Sequence, residues 1–484
     1  MKYIPKKEGK PWLSHSYSLR MNLWFILSDL LSLSIAGVSA YFLRILIGEK
    51  YQNPAFYLQL LWIPLVFILL YAVSGLYPGV GITPVDELRR VTTITSSLWI
   101  AITAILFLTK SGESYSREVF LFYWFFSILL IPILRFYARR IGIKFGFWGE
   151  PVAIIGFGEY ARKTLHFLVN NRFFGYIPVL IVEEKSQTKE INFEGQKIPK
   201  IDTETLLNDK KYLNRQGINT AIFVPEETPG ELSKAIGSED IFGLIHLILI
   251  SKLGWVGGSA VVPVDMEGIL GLSAQRNLLN PYFRLLKRSV DLLITLVAGI
   301  ISLPILLICA VLIRLDSPGP IFYFQKRVGY RGKEIRVCKF RTMVQKADII
   351  LEDYLCANPD LRDEWNSSHK IKNDPRVTRL GKFLRKTSLD EIPQMWNVLI
   401  GEMSWVGPRP IVEDEIVHYQ ESFSLYTQVR PGITGLWQVS GRSSTSYKYR
   451  VNLDEYYIRH WSLWLDIYIL LRTVRSVLSH EGAW

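Results

Sequence analysis

Long apolar runs alternate with polar stretches along this chain, and the alternation divides it. Four apolar runs crowd into the first third. The first spans Trp24 to Ile47, with Asp29 near one end and Arg44 near the other, charges that must pair or snorkel in lipid. The second lies within Phe56 to Tyr77, and the third, Val91 to Thr109, is uncharged throughout. The fourth, Val119 to Leu134, is about 16 residues and needs Phe136 and Tyr137 to reach a spanning length. The opening MKYIPKKEGKPW is polar for too long to be a cleavable signal peptide. Lys2, Lys6, Lys7, Lys10 and Arg20 precede the first run, and Arg135, Arg139, Arg140 and Lys144 follow the fourth. That bias predicts four spans with both ends in the cytoplasm.

A fifth run, Leu292 to Ile313, is also uncharged and long enough to span. Basic residues flank it on both sides: Arg284, Lys287 and Arg288 before, Arg314, Lys326, Arg327, Arg331 and Lys333 after. Pro304, near its middle, removes a helix hydrogen bond and bends the axis. A kinked, re-entrant hairpin with both ends in the cytoplasm satisfies both facts. An ordinary fifth span with a tolerated proline is the alternative, and charge and kink alone leave both open.

Between these runs the pattern turns soluble. Residues 152–161, VAIIGFGEYA, read as a β-strand followed by G-x-G-x-x-A, in which Gly156 and Gly158 allow a tight turn before a helix. A second strand-like run, YIPVLIVEE, ends at Glu183 and Glu184, where a ribose-binding acid would fall. NTAIFVPEE and LIHLILIS look like further strands. A Rossmann-like α/β module follows from this spacing. Gly156 and Gly158 are its candidate cofactor contacts, and a plain glycine turn accounts for them equally. A Walker A loop is excluded, because Phe157 and Arg162 stand where its glycines belong.

Composition sharpens the picture. Of 484 residues, 49% are hydrophobic and only 21% charged, which excludes a disordered chain. Three cysteines, Cys309, Cys338 and Cys356, cannot frame a disulfide scaffold or a zinc site by their spacing. The +12 net charge fits phosphorylated substrates, anionic lipid or nucleic acid.

The chemistry concentrates after Arg284. In NDPRVTRLGKFLRKTSLDEIPQMWNVLIGEMSWVGPRP, Ser388-Leu-Asp390-Glu391 has the capping-box form S-x-x-E at the head of an apolar-periodic run. Two adjacent acids at a helix start point about 100° apart and can address one site, one as nucleophile and the other as metal ligand. Arg376, Arg379, Lys382, Arg385 and Lys386 precede them, and Arg409 follows, held in Pro408-Arg409-Pro410. A carboxylate pair amid guanidinium groups suits a polyanionic substrate bridged by Mg²⁺; ordinary surface ion pairing would give the same composition. RPGITGLWQVSGR, Arg430 to Arg442, sets Gln438 and Arg442 among glycine turns, as pocket-lining groups or as a loop over the core. The tail, RHWSLWLDIYILLRTVRSVLSH, suits either an interfacial helix or a core-packing one.

KRSVD, the apolar hairpin, GPIFYFQKRVG, CKFRTM, KTSLDEIPQMWNVLIGEMSWVGPRP and RPGITGLWQVSGR, in that order, resemble the bacterial sugar-transferase family, the polyprenyl-phosphate hexose-1-phosphate transferases or large monotopic phosphoglycosyl transferases. The detailed match covers about 284–484; the four spans and the α/β middle resemble its long form, the undecaprenyl-phosphate galactose phosphotransferases. The resemblance implies a fold of four transmembrane helices at 21–144 after a cytoplasmic stretch 1–20, a Rossmann-like module at 145–255, a linker at 256–283, and a mainly α-helical catalytic domain at 284–484 with a re-entrant helix at about 288–315. It implies Asp390 as the nucleophile attacking a UDP-sugar, and Glu391 as the Mg²⁺-associated acid. Arg385, Arg409, Arg341 in CKFRTM, Gln438 and Arg442 become phosphate or substrate contacts. Lys287 and Arg288 match a basic pair suited to the lipid phosphate, and Pro304 the helix kink. The family usually has Ser directly before that proline; here Leu303 stands there and Ser302 lies one position back. The implied partners are a UDP-sugar, undecaprenyl phosphate, anionic lipid and a second copy of the chain, with no nucleic acid, at the cytoplasmic membrane of a bacterium. Galactose is the expected sugar, with glucose as the alternative. A membrane-tethered NAD-dependent nucleotide-sugar oxidoreductase or epimerase would use Gly156 and Gly158 but leaves the second half idle, and a lipid-binding scaffold is the non-enzymatic alternative.

Overall fold

The computed structural model describes residues 14–47, 63–109, 116–183, 190–224, 246–250, 261–274, 277–357, 362, 374–440 and 446–478, apart from 157, 194, 210, 211, 267, 268 and 346. The chain forms two compact units, 1–254 and 255–484.

In the first unit, α1 (Ser14–Leu46), α2 (Ile63–Val73), α3 (Pro84–Leu108) and α4 (Arg117–Phe145) carry the apolar runs. α1, α3 and α4 are long and apolar enough to cross a membrane, whereas the described part of α2 is an apolar helix of 11 residues. α3 starts cleanly: the Thr83 side chain accepts from the Asp86 N–H and Pro84 occupies the first turn, where its missing donor costs nothing. α4 is much longer than its apolar run suggested, continuing to a left-handed Gly146. Arg135 and Arg139, which the sequence reading places after the fourth span, are therefore inside the helix and buried. Arg135 holds Asp29 through two bonds, Nη2 at 2.6 Å and Nε at 2.9 Å, and Tyr77 donates to the same carboxylate at 2.5 Å. Glu87 bridges Arg135 at 3.3 Å and Arg139 at 2.8 Å. Arg44 pairs with Glu118. The membrane charges pair rather than snorkel.

The helices run directly into an α/β layer. Strands β1 (Glu150–Ile155), β2 (Tyr176–Glu183), β3 (Glu190–Phe193), β4 (Gln196–Asp202), β5 (Thr220–Phe223) and β6 (His246–Leu249) form one sheet in the order β3-β4-β2-β1-β5-β6. Every pairing is parallel except β3 with β4. Gly156, at φ +135°, makes the turn out of β1, and Gly158 caps α5 (Glu159–Asn170). Glu183 is ion-paired with Lys200 at 3.0 Å; Glu184 and Phe157 lie outside the described residues. Trp148 locks layer to bundle: its ring lies 5.0 Å from Phe25, under the Arg139 guanidinium at 4.9 Å, and its Nε1 donates to Arg172 O.

The second unit opens with a hairpin, β7 (Val261–Met266) and β8 (Ile269–Ala274), where the sequence suggested only a linker. The fifth apolar run is α6 (Pro281–Asp316), its first turn capped by Asn280. It is helical over 36 residues, with Pro304 inside it, and Ser302 Oγ contacts Gly299 O at 3.5 Å. Leu296, Ile300, Ile301, Leu307 and Ile308 are exposed along its middle. Both ends lie on the body that follows. Asp291 accepts from Ser404 Oγ at 2.8 Å and Trp405 N–H, while Cys309 and Ile313 pack with Phe340 and Leu384. That body is mainly helical, with four short strands built in among the described residues. An antiparallel hairpin, β9 (Phe322–Val328) and β10 (Glu334–Phe340), and a parallel pair, β11 (Ser404–Val406) and β12 (Gly432–Thr434), are set among α7 (Arg379–Thr387), α8 (Met395–Ile400), α9 (Tyr447–His460) and α10 (Leu463–Leu478). On α10, Leu465 and Ile469 are buried and Leu471 and Val474 exposed.

Candidate active site

The acids Asp390 and Glu391 are presented by a sharp turn between two helices. α7 begins where Thr378 Oγ1 accepts from the Gly381 N–H at 2.9 Å, and Gly381 lies flush on Thr342, leaving no room for a Cβ. α7 ends at Ser388, in the left-handed region at φ 55°, with its N–H donating to Arg385 O. The capping box does not form: Ser388 closes one helix and precedes the next, and its side chain makes no cap. The chain then winds as a 3₁₀ segment, Leu389–Gln394, whose first turn holds both acids and whose tighter pitch accepts Pro393. α8 follows, pinned by buried Asn397, whose Oδ1 accepts from Cys338 N–H at 2.9 Å and whose Nδ2 donates to Arg336 O at 2.7 Å. The acids thus have a fixed position against β10.

Glu391 pairs with Lys339 Nζ at 2.7 Å. Burial, then the neighbouring Glu391 charge, pushes the Asp390 carboxyl up to about 6, with Lys339 and Arg385 pulling the other way. Arg385 donates through Nε to Thr342 Oγ1 at 2.9 Å. Arg376 is turned to Asp374, at 2.6 Å, and its bonds outweigh burial to hold that carboxyl below the usual range. Arg379, Lys382 and Lys386 are exposed.

A pocket opens beside Glu391, lined by Gln325, Arg327, Val337, Lys339, Gln394, Arg409, Pro410, Gly432, Ile433 and Gln438. Arg409 reaches it from the Pro-Arg-Pro segment with its guanidinium 5.7 Å from the Trp437 ring. Arg450 stacks on Trp437 at 4.7 Å and bonds Glu415, which also lies 3.7 Å from Arg327. Behind them, burial raises Asp454 to about 7 against the Tyr419 hydroxyl, Arg450 and Arg409.

The structure therefore brings Asp390, Glu391, Arg385, Arg409 and Gln438 to one region. Arg341, one residue beyond β10, is nine-tenths buried, with Nη2 on Ser317 O at 2.6 Å and Oγ at 2.8 Å. Arg442 lies outside the described residues. Lys287 and Arg288 are committed elsewhere. Lys287 forms a 2.7 Å ion pair with Asp466, and Arg288 donates to the last carbonyls of α8, Val398 O at 2.5 Å and Leu399 O at 2.9 Å. Both fasten α6 to the body. Gln325, Arg327 and Lys339 went unassigned by sequence, although a signal was present. In the β9–β10 register Gln325 faces Val337 and Lys339 faces Tyr323, so alternate residues of both strands share the pocket face.

Residues 282–480 match the model of the bacterial sugar transferase family. The chain is 36% identical over 376 residues to an undecaprenyl-phosphate galactose phosphotransferase of Salmonella typhimurium, covering 76% of this chain and 77% of the relative. It is 34% identical over 374 residues to a UDP-galactose-lipid carrier transferase of Erwinia amylovora, covering 76% of each. A UDP-glucose:undecaprenyl-phosphate glucose-1-phosphate transferase of Escherichia coli is 39% identical over 246 residues, 49% of this chain and 47% of the relative. With these sequence matches, its apolar helices and its carboxylate pair beside a basic pocket, the chain belongs to the bacterial sugar transferase family and is a membrane-protein enzyme of that class.

Proposed function

We propose that this protein transfers galactose 1-phosphate from UDP-galactose to undecaprenyl phosphate, at the cytoplasmic face of the bacterial inner membrane, in two displacements through Asp390. The observation that carries the reading is Asp390 itself: a carboxylate titrating near 6, beside Glu391 and Lys339, at the edge of a pocket lined by Arg327 and Arg409. At neutral pH it is mostly ionised, and its raised pKa reflects incomplete solvation, which suits a nucleophile. An Asp390 oxygen attacks the phosphorus carrying the sugar; the bond to UMP breaks and UMP leaves with the electron pair. An acceptor phosphate oxygen then attacks the same phosphorus and releases the carboxylate. Arg409 and Arg327 hold the donor phosphates, and Arg385 shields charge around Asp390.

The residues fit Mg²⁺. Asp390 and Glu391 offer oxygen ligands beside an open pocket. Among the described residues no cluster of three or more His, Cys, Asp or Glu forms, so substrate phosphates and water would have to complete the coordination. Bound through Glu391, Mg²⁺ would supply charge neutralisation at the diphosphate.

Re-entry of α6 is supported by its two anchorages. Residues near Asp291 and residues near Ile313 rest on one body, so both ends belong on one side of the membrane. Galactose is supported by two relatives that match three quarters of the chain and carry galactose in their names. A homodimer rests on the family resemblance alone.

The test is UMP release from a panel of UDP-sugars with undecaprenyl phosphate and Mg²⁺, beside Asp390→Asn. Release with UDP-galactose, abolished by the substitution and by EDTA, is expected. Release with UDP-glucose alone would replace the sugar, and release surviving in Asp390→Asn would sink the mechanism.

A further inference from the structure

If Lys287 and Arg288 fasten α6 to the body, the lipid phosphate needs another cation at the membrane end of the site. One candidate carries unmet hydrogen-bonding capacity. Arg341 is 9% exposed, yet its Nε and Nη1 have no hydrogen-bond partner among the described residues. Burying a guanidinium with two nitrogens unsatisfied is costly, and an anion is the group that would relieve it. Burial, then the nearby Arg314 charge, also lower its pKa, with Asp316 pulling the other way.

Its surroundings place it between membrane and chemistry. The third guanidinium nitrogen holds Ser317, the residue that ends α6. Arg314, in the last turn of α6, donates to Gly319 O at 2.7 Å. Gly319, at φ +125°, passes so close that a Cβ there would lie 2.1 Å from Arg341 Nη1, so only glycine lets this loop cover the guanidinium. On the other side, Thr342 accepts from Arg385, whose charge acts on Asp390. Arg314, Arg341 and Arg385 make a basic path from the end of α6 to the carboxylate. The pocket lined by Arg327 and Arg409 does not include Arg341.

We infer that Arg341 seats the phosphate monoester of the lipid acceptor, while the Arg327–Arg409 pocket takes the nucleotide-sugar diphosphate. This rests on the two-displacement reading above. In the second displacement an oxygen of the seated phosphate dianion attacks the phosphorus of the Asp390 adduct. A P–O–P bond forms, the P–O bond to Asp390 breaks, and the carboxylate departs with the electron pair; no proton or further reactant is required. The Ser317–Gly319 loop must shift to admit the headgroup, which makes it the entry point from the membrane.

The two half-reactions separate the roles. Full-length protein in nanodiscs is mixed with UDP-sugar and no acceptor, and the stoichiometric UMP burst is measured. Undecaprenyl phosphate or inorganic phosphate is then added, and loss of the covalent adduct is followed by intact-protein mass spectrometry. In Arg341→Lys, discharge by the lipid is expected to slow about tenfold or more, with a far smaller change in the burst, because an ammonium cannot replace the guanidinium fork. Arg314→Gln, at an exposed position, should show a smaller loss in the same step. Equal losses in burst and discharge, or undiminished discharge in folded Arg341→Lys, overturn the assignment. So does inorganic phosphate discharging the adduct as fast as the lipid, which would make the site a general phosphate seat. A wild-type protein with no burst defeats the two-displacement reading itself, and this assignment with it.

Discussion

Lys339→Met gives a sharp test of how the acid pair is tuned. In the wild type, Asp390 titrates near 6, so its ionised fraction falls from about 90% at pH 7 to about 10% at pH 5. The burst rate should follow, dropping about tenfold across that range. Lys339 acts twice: it attracts the Asp390 carboxylate directly, and it neutralises Glu391 through the 2.7 Å pair. Removing it deletes a favourable charge and leaves an unfavourable one less well compensated, so both effects raise the pKa. An opposite charge at such range is worth about 1–3 units, and screening in an open pocket puts the shift at the lower end. The midpoint should move to about 7–8, and at pH 7 ionisation alone should cut the rate about two- to tenfold. The assay is single-turnover UMP release by rapid quench from pH 5 to 9, with Asp390→Asn as the blank. A Lys339→Met midpoint at or below the wild-type value would refute this account.

Asp390→Asn should stabilise the fold at neutral pH by about 1–3 kcal/mol. The wild-type carboxyl is raised above its unfolded value, so its contribution is intact below about pH 4 and is lost as pH rises through about 6; thermal melts of both proteins from pH 4 to 8 should converge at the acid end. Asn397→Ala, which strips the bonds to Cys338 and Arg336, should cost about 1–3 kcal/mol in the same measurement and lower burst amplitude by loosening the acids against β10. Asp29→Asn should destabilise the membrane unit by about 3–5 kcal/mol, since it leaves the buried Arg135 with only the more distant Glu87 carboxylate. Asp29→Asn with Arg135→Gln should recover part of that loss in nanodisc melts; no recovery would show that the pair is not what couples these helices.

What the sequence made legible was what local pattern encodes. The apolar runs announced the membrane helices, and VAIIGFG announced a strand and turn. The acids at Asp390 and Glu391 stood out by their neighbours. The failures share one cause, the dependence of a residue's role on partners distant in sequence. Ser388 has the letters of a capping box, but its left-handed backbone, which ends α7 and turns the chain into the 3₁₀ segment beside β10, leaves its side chain without a cap bond. The pairing of Lys287 with Asp466, 179 residues later, has no local sign. Arg135 reads as a marker of orientation because the polar end of α4 resembles a loop when Asp29 and Glu87 are out of view. Lys339 and Arg327 carried a period-two signal, but only the hairpin register showed which face it meant.

The charge cluster in the first unit also sets the order in which the protein can be made. Asp29 leaves the ribosome 106 residues ahead of Arg135, the cation that neutralises it, and Glu87 precedes Arg135 by 48. At about 5–20 residues per second, the first carboxylate waits about 5–20 s for its counterion. A bare acid is poorly tolerated in hydrocarbon, so α1 has to be sheltered by the insertion machinery until α4 emerges. The bundle is then handed to the lipid as a set, and a nascent chain arrested between Glu87 and Arg135 would remain at the insertion site.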